Sequence, residues 1–98
     1  MAGYATEIRV RNGSDSEFKE VVVGGKKYGD IKAGAATEYQ TWKTAYRYSS
    51  VTLKAGDKTL RIQPIDYVGE TPLGEGNFTY ILTVRDGRLE IRAEKDKK

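Results

Sequence analysis

Apolar and polar residues alternate with a period of two along most of the chain, and turn-forming residues break the alternation at short intervals. This pattern belongs to strands with one face in a core and the other in water. Thr6, Ile8 and Val10 fall on one side of a first strand, with Glu7, Arg9 and Arg11 on the other. Asn12-Gly13-Ser14-Asp15-Ser16 interrupts it with residues that accept positive φ or hydrogen-bond their own backbone. A second strand is predicted over Phe18–Val23, where three consecutive valines favour extended backbone through stiff χ1 angles. Gly24-Gly25 turns the chain, and Tyr28 marks a short return.

A strand follows over 36–42, with either Tyr39 and Thr41 or Glu38 and Gln40 facing in. The next long strand is predicted over 46–53. Its phase changes midway, because Tyr46 and Tyr48 share one face while Val51 and Leu53 share the other; either a bulge near Ser49-Ser50 reconciles them or both faces are partly buried. Ala55-Gly56-Asp57-Lys58 is a hairpin into a strand over 59–65, which Pro64 ends or confines to an edge. The segment 66–77 is the one long irregular stretch. Phe78, Tyr80, Leu82 and Val84 then alternate with Thr79, Ile81, Thr83 and Arg85. Asp86-Gly87 predicts a type I′ turn, and Leu89, Ile91 and Ala93 complete the pair.

No segment holds three turns of helical periodicity. About seven short strands predict an all-β fold: an antiparallel β-sandwich, immunoglobulin-like, with a small closed barrel as the other architecture. The 98 residues make one domain, 1–98, with frayed tails at 1–4 and 95–98. No apolar run approaches the roughly 18 residues of a membrane span. The first residues carry neither a basic start nor an apolar stretch, so a cytoplasmic location is expected, or an extracytoplasmic one if a leader was removed.

Composition narrows the chemistry. There is no Cys and no His, which excludes Cys and His nucleophiles, an imidazole base, disulfides and thiolate or imidazole metal sites. Ser49 and Ser50 therefore lack a base. The expectation is a protein that is not an enzyme and needs no cofactor. The net charge is only +3, and Arg85, Arg88 and Arg92 alternate with Asp86, Glu90 and Glu94. Signs mixed in this way suit cross-strand pairing and protected edges rather than a phosphate footprint, so no nucleic-acid partner is expected. The terminal strands and the edge near Pro64 suit strand addition, yet their charges argue for a monomer.

Two groups of residues remain as candidates for binding. Tyr39, Trp42, Tyr46 and Tyr48 lie within ten positions, interleaved with Gln40, Lys43 and Arg47. Aromatic rings with polar neighbours suit a glycan or a peptide, although aromatics in strands more often fill a core. The expected ligand-binding set is Trp42, Tyr46 and Arg47, with Asp66, Tyr67 and Glu70 shaping the adjacent loop. Asp66, Glu70 and Glu75 are hard oxygen donors of the kind Ca²⁺ takes, but their spacing matches no calcium loop, so no metal is expected. Asp66 and Glu70 as the carboxylate pair of a small hydrolase would need to face each other across a pocket. The other alternative is a structural or designed scaffold domain with no ligand.

Pro64-Ile65-Asp66-Tyr67-Val68-Gly69-Glu70, followed by Leu73, Gly76 and Asn77-Phe78-Thr79-Tyr80-Ile81-Leu82, resembles a pattern in small β-sandwich domains of bacterial cell-envelope proteins. Phe18 to Val23, Tyr28-Gly29-Asp30-Ile31 with Gly34, and Glu38-Tyr39 with Ala45-Tyr46-Arg47-Tyr48 fit the same pattern. The resemblance spans residues 18–82. It implies a fold and an envelope compartment, and no activity. The regular alternation of the last strand and tail also suits an engineered variant.

Overall fold

The alternating segments form two sheets in the computed structural model, which describes residues 5–64 and 71–96. The first contains β1 (Thr6–Asn12), β4 (Gln40–Trp42), β7 (Gly76–Arg85) and β8 (Arg88–Lys95), in the order β4-β1-β7-β8. The second contains β2 (Phe18–Val23), β3 (Lys26–Ile31), β5 (Val51–Ala55) and β6 (Lys58–Ile62), in the order β3-β2-β5-β6. The fold is all-β and sandwich-like, with eight strands among the described residues where about seven were expected. Between the sheets lies one apolar core. Ile8, Val10, Trp42, Phe78, Tyr80 and Leu82 enter it from the first sheet, and Phe18, Val21, Val23, Ile31, Val51 and Leu53 from the second. Burying each such side chain contributes roughly 1.5–3 kcal/mol, and no disulfide assists.

One pairing departs from the antiparallel expectation. β1 runs parallel to β7, from Thr6 opposite Gly76 to Asn12 opposite Leu82. The strands that follow β1 in sequence belong to the other sheet, so its partner comes from far along the chain and arrives in the same direction. β7 is central and buried on both faces, with Phe78, Thr79, Tyr80, Ile81 and Leu82 all buried in succession.

The turns follow their residues. Gly24-Gly25 has φ of +59° and +82°, and Asp86-Gly87 has +53° and +76°, the positive pair that a type I′ turn requires. At Gly24 a Cβ would also lie 2.8 Å from Cζ3 of Trp42 and 2.9 Å from Oγ of Ser49, so glycine makes room for the indole. β2 carries a bulge: Phe18 pairs with Ile31, but Val21 pairs with Gly29. Glu20 takes φ of +54° there, and its N–H donates to Oδ1 of Asp30 at 3.0 Å. The extra residue lets Phe18 and Val21 both point inward despite odd spacing.

Three predicted strands differ in extent from the expectation. The strand over 36–42 is regular only at Gln40–Trp42, preceded by a single bridge between Ala36 and Arg11. Gln40 and Trp42 take its inner side, and Thr41 faces out. The strand over 46–53 begins only at Val51, because residues 43–50 carry the chain from one sheet to the other; there is a crossing segment in place of a bulged strand. The 59–65 strand ends at Ile62. At the end of β8, Lys95 pairs with Phe78, and the Asp96 N–H donates to Asn77 O at 2.8 Å.

Candidate functional site

Residues 43–50 are pinned from both sides as they cross between sheets. The Ala45 carbonyl accepts the Leu73 N–H at 2.8 Å, and the Tyr46 carbonyl accepts the Tyr80 hydroxyl. Ala45 and Ser49 are buried, which leaves Arg47 exposed between them. On the facing side, β8 brings Ile91, Arg92, Ala93 and Lys95 along the edge of the first sheet. Thr71, Pro72 and Leu73 close the space between, and the Thr6 hydroxyl holds the Gly74 carbonyl at 2.6 Å. The result is an open cleft of about 680 Å³.

Its floor is apolar, with Leu73, Phe78 and Ile91, and Tyr48 lines one side. Arg47, Arg92 and Lys95 are its charged residues, with no carboxylate among the described lining residues. Arg92 also pairs with Glu94 on its own strand, Nη2 to Oε2 at 3.1 Å. Positive charge beside an apolar floor is suited to hold a carboxylate-bearing ligand through charge-assisted hydrogen bonds. A second cleft of about 660 Å³ at the opposite end is lined by residues such as Ser14, Asp15, Lys58 and Leu60, whose charges balance.

The residues singled out in sequence separate here. Trp42 is a correction: it is 7% exposed and belongs to the core. Its ring meets Tyr80 edge-on at 5.7 Å between centroids, and its Nε1 donates to the Tyr28 hydroxyl at 2.9 Å. That hydroxyl in turn donates to the Ile8 carbonyl at 2.9 Å, tying β4, β3 and β1 together. Burial raises the Tyr28 pKa above its ordinary value, a shift that the Trp42 hydrogen bond partly offsets. An indole N–H needs a partner when buried, and one residue from the opposite sheet supplies it; alternation alone does not reveal that. Tyr46 is half-buried, outside the cleft, while Arg47 lines it. Asp66, Tyr67 and Glu70 lie outside the described residues, and with them the hydrolase pair.

Sequence reasoning missed Arg92 and Lys95 as cleft residues. Arg92 reads as one charge among alternating neighbours, and Lys95 as part of a tail. It also missed a polar network on the outer face of the first sheet. Thr79 Oγ1 donates to the Asp96 carboxylate at 2.8 Å and accepts from Arg9 Nε at 2.9 Å. The Tyr39 hydroxyl donates to Asp96 Oδ2 at 2.5 Å, and the Arg9 guanidinium lies 5.2 Å above the Tyr39 ring. The bond to Asp96 raises the Tyr39 pKa above its ordinary value, because it favours the protonated phenol. No family model matches the chain, and no curated protein is similar to it.

Proposed function

We propose that this protein is a non-catalytic interaction module that takes an acidic peptide in the cleft of Arg47, Tyr48, Arg92 and Lys95. The observation that carries the proposal is the positive charge of Arg47, Arg92 and Lys95 around an apolar floor, with no carboxylate among the described lining residues. Burial of Trp42 weighs against a glycan, since a sugar face stacks on an exposed ring and the one Trp is committed to the core. Two sheets of four short strands, with the chain crossing repeatedly between them, support an immunoglobulin-like sandwich as the carrier. The resemblance of 64–70 and 77–82 to bacterial envelope domains extends the proposal to an extracytoplasmic setting.

Fluorescence anisotropy with a labelled peptide of Glu and Leu residues tests it, with a neutral oligosaccharide and an oligonucleotide as competitors. Binding should weaken with salt and fall roughly tenfold in Arg47→Ala, since hydrogen bonds to charged groups contribute about 1.5–3 kcal/mol. An unchanged anisotropy, or equal binding by Arg47→Ala, would sink the proposal. The second reading, a structural domain without a ligand, is favoured by the internal commitments of Trp42, Tyr28 and Tyr80. It predicts no response to any of the three probes.

A further inference from the structure

We infer that β8 is a self-complementary edge through which two copies of this chain pair antiparallel into one continuous eight-stranded sheet. β8 ends the order of its sheet, and among the described residues no strand hydrogen-bonds its outer side. It is eight residues long, with Arg88, Glu90, Arg92 and Glu94 exposed on one face and Leu89, Ile91 and Ala93 packed against the core on the other. In an antiparallel ladder alternate residues aim both backbone groups at the same neighbour. The Asp96 N–H bonds back to Asn77 on β7, which assigns the even-numbered residues of β8 to β7. Leu89, Ile91, Ala93 and Lys95 therefore offer their N–H and C=O groups outward.

A two-fold axis through Ile91 uses these groups. It pairs Ile91 with Ile91 of the second copy and Leu89 with Ala93, all at positions whose hydrogen-bonding groups face the edge. The same register sets Arg88 opposite Glu94 and Glu90 opposite Arg92, each twice. These are the non-hydrogen-bonded positions, where side chains lie closest. Sliding by two residues in either direction puts Glu opposite Glu and Arg opposite Arg. Charges that individually protect an edge thus select one partner and one register: another copy of the same strand. Arg92, paired with Glu94 at 3.1 Å within the strand, lies within the same charged row and gains Glu90 of the second copy.

Sedimentation equilibrium of the full chain tests this, because all four charges are exposed and their reversal leaves the core intact. The wild type should show a reversible monomer–dimer equilibrium that weakens with salt. Arg88→Glu and Glu94→Arg alone should each dissociate the dimer, with a dissociation constant about tenfold weaker or more, since each sets two like-charge pairs face to face. Mixing the two variants should restore a dimer, because every reversed charge then meets its opposite. A wild type that stays monomeric to about 1 mM, where the weakest specific associations lie, overturns the inference. So does a dimer indifferent to both reversals, or one that mixing fails to restore. Arg88 lies outside the cleft lining, so peptide binding by Arg88→Glu, measured where the chain is monomeric, scores the cleft separately.

Discussion

Asn12 is fully buried and uses every polar atom of its side chain. Its Nδ2 donates to the carbonyls of Ser16 at 2.7 Å and Ile31 at 2.9 Å, while Oδ1 accepts from the Ser14 N–H and hydroxyl. One amide thereby joins the end of β1 to the following loop and to β3. Asn12→Asp keeps the acceptor and loses both donors, facing two carbonyls with a carboxylate. It should cost about 3 kcal/mol, as much as Asn12→Ala, when read by urea denaturation. An Asp variant as stable as the wild type would contradict this account. Tyr28 makes a second residue-scale prediction. Its pKa, and that of Tyr39, are raised in the folded state, so both phenols hold their protons after the unfolded chain has lost them. Stability is then fully present below pH 10 and falls as pH rises through the folded values. Comparing urea midpoints from pH 8 to 11 should show a steeper alkaline loss in the wild type than in Tyr28→Phe with Tyr39→Phe. Parallel profiles would refute it.

At the scale of the element, β8 depends on a contact beyond its last residue. Asp96 collects Thr79, Tyr39 and the Arg9 guanidinium, 3.5 Å away, and so fastens the strand end to β7 and β1. The Asp96 side chain is 16% exposed, shielded enough for these bonds to count. Asp96→Ala should cost about 1–2 kcal/mol and raise hydrogen exchange at Glu94 and Lys95 while the Asp86-Gly87 end stays protected. Uniform loss of protection along β8 would show that the hairpin, rather than the anchor, sets its stability. The β2 bulge is a comparable device: one extra residue with positive φ at Glu20 corrects the phase of the inward side chains.

For the molecule as a whole, the decisive pairings are distant in sequence. Arg9 on β1 bonds Thr79 on β7 across 70 positions, and the Trp42 core contact with Tyr80 joins β4 to β7. Closing such loops costs chain entropy before contacts repay it. Refolding followed by Trp42 fluorescence should therefore take milliseconds to seconds, in the range of non-local β proteins. Microsecond refolding would mean that local hairpins, not the β1–β7 ladder, carry the transition state.

Short-range physics made much of this fold legible in the chain. Thr6, Ile8 and Val10 show their inward side by alternation, and Gly24-Gly25 and Asp86-Gly87 announce their turns because few residues accept two positive φ angles. The absence of Cys and His limits the chemistry before any fold is known. Tertiary structure alone decided which sheet each strand joins, that β1 meets β7 in parallel, and that residues 43–50 cross rather than pair. It took Trp42 from the expected binding surface into the core, and brought Arg47, Arg92 and Lys95 around one cleft. The division has a physical cause. Pleat and turn preferences act between neighbours, whereas burial and charge clustering depend on which distant segments the core draws together.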